Sequence, residues 1–216
     1  MNTVSSRCVI DHITVTAPTL VSGAAYVHQI LGVAPLPGGE HPRMATHNML
    51  LRLGEALFLE IIAPNPLAPN PDRPRWFELD RLDADSPPRL SNWVVRSTDI
   101  HAALHAAKED LGNIEPMSRG SNHWLITIPE DGSLPMEGLA PALIEWHTDQ
   151  HPASKMPDMG LSLVKLELLH ADAGRVLRLL NALELQDRIT VKPISKHIRP
   201  QLIAHIQTPH GICILS

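Results

Sequence analysis

Aromatic residues are scarce, at 3% of the 216-residue chain: four Trp, two Phe and one Tyr. Aliphatic side chains must therefore fill most of any core. The composition, 44% hydrophobic and 19% charged, is that of a globular protein. A basic excess is missing too. The net charge of −5 leaves no cationic surface to neutralise phosphates, which argues against a nucleic-acid partner. Cysteine is limited to Cys8 and Cys213, near opposite ends. One bridge would be a thin disulfide framework for this length, so both read as free thiols in a reducing compartment. No apolar run approaches the roughly 20 residues that span a bilayer. Residues 1–7 are polar, without the apolar centre of a signal peptide. A cytoplasmic location with no membrane partner is the expectation. Gly-rich phosphate loops, CxxC pairs and Ser nucleophile elbows are also missing from the sequence. The length suffices for one large domain or two small ones.

What is present is a repeat. Residues 10–18, 90–98 and 163–171 each read as a short alternating strand, and each is followed by an amphipathic helix, at 20–31, 100–111 and 174–183. Thr98 or Asp99 can cap the second helix and Asp172 the third, by accepting bonds from unpaired backbone N–H groups. Three strand-like runs follow each helix. In the first unit they lie near Val33, at 46–53 and at 56–62, with Gly54-Glu55 as a hairpin turn. In the second they lie at 114–117, 123–128 and 142–147, and in the third at 189–193, 201–207 and 212–215. Strand, helix and three strands thus recur three times. The expected organisation is a first βαβββ module at 8–64, a Pro-rich connection at 65–88, a second module at 89–148, a connection at 149–160 and a third module at 161–216. From Pro64 through the first connection, Pro64, Pro66, Pro69, Pro71, Pro74, Pro87 and Pro88 oppose helix and sheet alike. Trp76 and Phe77 inside it suggest that it packs down.

Strand alternation then groups the polar residues. His12 shares a face with Ile10, Thr14 and Thr16. Thr46, Asn48 and Arg52 share one with Leu50, Glu60 shares one with Phe58 and Ile62, and Glu145 shares one with Leu143 and His147. Carboxylates beside bulky apolar groups fit neither a sealed core nor a solvated face. They fit a concave, partly solvated sheet, the usual place for a ligand site. The fold class is therefore α+β, with cupped mixed sheets and helices outside. His12 and Asn92 occupy equivalent first-strand positions, and Glu60 and Glu145 are read as equivalent in the last strands. Two modules paired about a pseudo-twofold axis would bring the four together. Imidazole and carboxylate suit divalent Zn, Mn, Fe, Ni or Co. The alternative, equally defensible, is a cup with no metal. Pro37-Gly38-Gly39-Glu40-His41-Pro42-Arg43-Met44-Ala45-Thr46-His47-Asn48 is the densest polar stretch and is read as a rim loop. His41 or His47 there can move a proton near neutral pH. His101 and His105, four apart on a helix, read as surface residues, and His147 and His151 near Asp149 resemble a metal cluster in composition only.

These residues also resemble a known family. Ile10-Asp11-His12-Ile13, the helix end Leu31-Gly32-Val33, the Gly-Gly-x-His and Thr-x-Asn stretch, and Leu59-Glu60-Ile61-Ile62 are similar to the glyoxalase-like domains of the vicinal oxygen chelate superfamily. The likeness is strongest over 10–64 and visible to 148. It implies that His12 and Glu60, with Asn92 and Glu145 as second-module counterparts, stand where the superfamily holds its metal. Asn92 departs from the usual His or Gln, and Ala45-Thr46 from the usual Gly-Thr. The superfamily includes lyases, isomerases, dioxygenases, thiol transferases and sequestering proteins, so kinship does not choose a reaction.

Three functional readings follow. The first is a metal-assisted enzyme acting on a small oxygenated metabolite, with His12, Glu60 and Glu145 on the ion, His41 or His47 moving the proton, Thr46 and Asn48 contacting substrate, and Arg52 or Arg96 holding an anionic group. The second is a metal-free small-molecule binding protein, and the third a scaffold that mainly dimerises. The third unit is expected to be structural. Lys165 stands at the position of His12 and Asn92, and Leu215 at that of the glutamates. An odd unit leaves a sheet unpartnered, so a homodimer through it is the expectation, with packing onto the first two units as the alternative.

Overall fold

The computed structural model describes residues 8–185 and 187–216. The first unit is β1 (Val9–Thr16), α1 (Leu20–Leu31), β2 (Leu36–His41), β3 (Thr46–Gly54) and β4 (Leu57–Pro64); the second is β5 (Arg89–Arg96), α2 (Ile100–Ala107), β6 (Asn113–Arg119), β7 (Asn122–Ile128) and β8 (Ala142–Trp146). Together they form one eight-stranded sheet in the order β2-β3-β4-β1-β5-β8-β7-β6. β1 and β4 are parallel, as are β5 and β8, and the units meet through antiparallel β1 and β5. His12 faces Val94 and Thr14 faces Asn92 across that seam, so the pseudo-twofold relates His12 to Asn92 and Thr14 to Val94.

Each helix starts where the sequence offers an acceptor. The Thr19 hydroxyl takes the Ser22 N–H at 3.1 Å, and Asp99 and Asp172 cap α2 and α3 (Ala173–Ala182) in the same way. Gly32, at φ 69°, ends α1. Gly23 lets α1 approach the sheet closely, since a Cβ there would sit 2.5 Å from Ile61 Cγ2. The stretch at 37–39, read as loop, is strand. β2 is the sheet edge, where Pro37 and the glycines are tolerated.

The third unit keeps the element order but not the sheet order. β9 (Ser162–His170), α3, β10 (Ile189–Pro193), β11 (Gln201–Thr208) and β12 (Gly211–Leu215) form a four-stranded sheet ordered β10-β9-β11-β12. Its opening strand is parallel to the strand just after the helix, whereas β1 and β5 are parallel to the last strands of their units. Leu163, Leu168, Leu202 and Ile206 share one buried cluster with Ile13, Trp93 and Val95 on the convex face of the large sheet. The chain itself therefore covers one face of the third sheet, while β10 and β12 remain its edge strands. Ile212 and Ile214 of β12 remain more than half exposed.

The concave face is filled differently. A 3-10 segment at Trp76–Arg81, inside the Pro-rich connection, lays Trp76, Phe77 and Leu79 into the cup against Met44, Ile62, Trp124 and Ile144. Phe77 and Glu78 adopt φ of 59° and 56°. Left-handed backbone costs roughly 1–2 kcal/mol per residue. Burial of each large apolar side chain returns roughly 1.5–3 kcal/mol, and the Glu78 N–H donates to the Gly132 carbonyl at 2.8 Å. Arg43 and Arg73 both pair with Glu115 of β6, at 2.5 and 3.1 Å, tying the rims of the two halves together. Cys8 and Cys213 form no disulfide, and among the described residues no helix is long and apolar enough to cross a membrane.

Candidate functional site

The cup floor is built in rows. Phe58, His12, Val94 and Ala142 adjoin across β4, β1, β5 and β8, and Glu60, Thr14 and Asn92 form the next row. His12, His41, Asn48 and Glu60 border one small cavity of ≈ 30 Å3 together with Arg119, under walls of Phe58, Trp76, Phe77, Trp124 and Trp146. Five of the chain's seven aromatic residues therefore surround this polar group.

The polar contacts form a directed chain. Asp11 Oδ1 lies 2.7 Å from His12 Nδ1, and His12 Nε2 lies 3.8 Å from Glu60 Oε2. The Asn48 amide donates to Glu60 Oε1 at 2.6 Å, while its carbonyl oxygen accepts from Gly39 N–H at 2.8 Å and Arg119 at 3.2 Å. Asp11 reaches this position through a bulge. The register of β1 on β5 slips between Ile10 and His12, leaving Asp11 as the extra residue. Its second oxygen accepts from His151 at 2.9 Å, the Trp146 indole at 3.0 Å and Arg96 at 3.3 Å. Burial pushes the Asp11 carboxyl up, but the hydrogen bonds from His12 and His151 outweigh it and hold the group well below the usual carboxylate range. With Asp11 ionised, His12 carries its proton on Nδ1 and presents Nε2 to the cup. Burial lowers His41 to about 4, so it is a neutral imidazole at pH 7, 3.2 Å from the Thr46 hydroxyl and edge-on to Trp76 and Trp124.

Other expected site residues lie elsewhere. Alternation turns His47 to the convex side with Met49 and Leu51. Arg52 faces the cup's far end but is spent on the Gly54 and Met156 carbonyls. Arg96 is committed to Asp11 and borders an outer hollow of ≈ 840 Å3 beside Cys8 and Glu184. Glu145 does not join His12 and Glu60. It accepts the Ile100 N–H at 2.8 Å at the start of α2 and pairs with His147 at 2.8 Å. Thr14 aligns with Glu60 and its counterpart Val94 aligns with Ala142, so Ala142 is the true counterpart of Glu60. Glu145 lies three residues further along, and an odd displacement puts a strand side chain on the opposite face.

The expected metal set of His12, Glu60, Glu145 and Asn92 therefore does not assemble. A catalytic site of this kind needs about three protein donors. The first half offers His12 and Glu60, and the second an amide and a methyl group. Among the described residues no three His, Cys, Asp or Glu side chains lie close enough to hold an ion. Sequence reasoning missed Asp11, Arg119, His151 and the tryptophans. Only the adjacency of Asp11 to His12 was a local signal.

Paired βαβββ modules cupping a small polar site define the class to which this chain belongs. The model of the glyoxalase-like domain matches residues 10–184. The chain is a member of that family, within the vicinal oxygen chelate superfamily. A search of curated proteins found no match. Among solved structures, a hypothetical protein from Staphylococcus aureus superposes with a TM-score of 0.55 at 12% identity, covering 96% of this chain and 84% of that one. A methylmalonyl-CoA epimerase variant from Streptomyces coelicolor, in complex with 2-nitronate-propionyl-CoA, gives 0.43 at 15% identity over 64% of this chain and 97% of its own. The Mycobacterium tuberculosis methylmalonyl-CoA epimerase gives 0.39 at 16% identity over 63% and 85%. These are likenesses of fold.

Proposed function

We propose that the cup is the active site of a small-molecule enzyme whose chemistry is proton transfer by its own side chains, on a carbonyl compound small enough to sit under the tryptophans. The observation that carries this reading is the line Asp11–His12–Glu60, with one carboxylate behind the imidazole and one beside its free nitrogen. His12 Nε2 takes a proton from the carbon next to the carbonyl, and the C–H electron pair moves onto the carbonyl oxygen as an enolate. Asp11 stabilises the imidazolium so formed. Glu60, oriented by Asn48, lies beside His12 Nε2 and helps to stabilise the imidazolium. The imidazolium, its proton exchanged with solvent, then returns a proton to the carbon and restores the carbonyl and the neutral imidazole. Neutral His41 can donate one N–H toward the developing oxygen charge, and Arg119 supplies the positive field. A metal-free binding protein, the second reading, is favoured by the aromatic walls.

Solvent deuterium incorporation separates the two readings. Acetone, pyruvate and other small ketones, aldehydes and oxo acids incubated with the protein in D2O should gain deuterium next to the carbonyl. His12→Asn and Glu60→Gln should each reduce the rate by about 100-fold or more, the scale of acid–base contributions. Ligands that stabilise the protein against heat, yet exchange no proton, would make it a binding protein.

A further inference from the structure

The second half of the cup holds two buried donors left without a partner among the described residues. Trp76 Nε1 and Asn92 Nδ2 have no hydrogen-bond partner among the described residues, although Trp76 is 4% and Asn92 2% exposed. Both border one cavity of ≈ 10 Å3, whose wall includes Ala142, Ile128 and Leu134. An indole N–H and an amide NH2 can only donate, so the cavity calls for an electron-pair donor, the reverse of a cation. Its size suits one oxygen atom. The position is the pseudo-twofold image of His12 and Glu60, because Asn92 stands for His12 and Ala142 for Glu60. Trp76 and Phe77 border this cavity and the cavity holding His12 and Glu60 alike. Thr14, aligned with both Glu60 and Asn92, carries a third unpaired buried group on the floor between them.

We propose that Trp76 Nε1 and Asn92 Nδ2 bind an acceptor oxygen of the ligand, a carbonyl or carboxylate oxygen. The cup would then select small molecules with two oxygen functions, one beside His12 and Glu60 and one in the donor pair. The proposal rests on the cup being the ligand site. It assigns the second half a role in recognition that the acid–base reading leaves open.

Indole N–H resonances test this directly. The four tryptophans give four signals in a 15N–1H spectrum, and Trp76→Phe identifies one of them. Titration with acetate, acetone and pyruvate should move the Trp76 signal saturably with at least pyruvate, while Trp93, whose indole donates to the Leu139 carbonyl, stays in place. Asn92→Leu should weaken pyruvate binding by about tenfold, the scale of a lost buried hydrogen bond, without lowering the melting temperature. Asn92→Asp, which replaces the donor by a carboxylate, should weaken it further. Movement of Trp124 and Trp146 with Trp76 fixed would overturn the donor pair and leave the cup as the ligand site. Unchanged affinity in Asn92→Leu would do the same. Silence of all four signals with every probe would overturn both readings.

Discussion

The two halves of the cup share a backbone and differ in chemistry. In the first, His12 and Glu60 approach to 3.8 Å, supported by Asp11 and Asn48. In the second, the same positions hold Asn92 and Ala142, with unpaired donors and no carboxylate. The pseudo-twofold fixes where side chains stand but not what they do. A repeat can therefore keep one half for acid–base chemistry while the other turns to hydrogen-bond donation.

The strongest way to break the first half is at its hub. Asp11→Ala leaves the donors of His12, His151, Trp146 and Arg96 without their acceptor. Unfolding by urea should show a loss of about 3–5 kcal/mol, the cost of breaking a buried charged network, with deuterium exchange reduced in the folded fraction. A small loss would mean that water replaces Asp11 readily.

Acid sharpens the comparison next, because the second half has no titrating group on its floor. His41 is lowered from 6.5 to about 4 by burial. The unfolded chain therefore takes up this proton first. Stability falls as pH drops from about 6.5 toward 4, by up to roughly 3 kcal/mol. Asp11 acts lower down. Its depressed carboxyl contributes stability that is present above about 3.9 and lost below it. Thermal melts from pH 7 to 4.5 should show the first slope, and His41→Phe should flatten it.

A double change tests the counterpart assignment. Asn92→His with Ala142→Glu completes two His and two carboxylates about the pseudo-twofold. Cobalt or zinc affinity, read by calorimetry, should rise about tenfold or more over the unmodified protein. Asn92→His alone supplies a third donor beside His12 and Glu60 and should gain less than the pair. Adding Glu145→Ala to the doubly changed protein should leave its metal affinity unchanged, and a loss there would place Glu145 in the cup after all.

The smallest effect belongs to Glu145 itself. Its carboxylate sits at the start of α2, so Glu145→Ala should cost about 1 kcal/mol, as loss of a capping acceptor does, and leave deuterium exchange unchanged. A loss of exchange comparable with that of Glu60→Gln would contradict the register of β8.

Within the first half, much of the site was legible. His12, Glu60 and Asn48 fall on β1, β4 and β3, where alternation is a local signal, whereas His41, read as part of a rim loop, is buried at the end of β2. The equivalence of His12 and Asn92 was legible for the same reason. The equivalence of Glu60 and Glu145 was not, because similar short apolar contexts align at more than one offset. Asp11 was hidden because a bulge breaks the alternation that would have turned it away.

The sequence by itself determined the order of strands and helices, the caps, the packing-down of the Pro-rich connection through Trp76 and Phe77, and the faces of β3 and β4. These follow from side-chain period and backbone preference over a few residues. In β1 the bulge at Asp11 sends Ile10 to the convex cluster, away from His12. Only the tertiary structure decided the register of β8, the arrival of Arg119 and His151 from distant segments, and the different sheet order of the third unit on the convex face. Register and strand order are settled by pairing between segments far apart in the chain. There, a displacement of three residues turns a glutamate from the cup to the start of a helix.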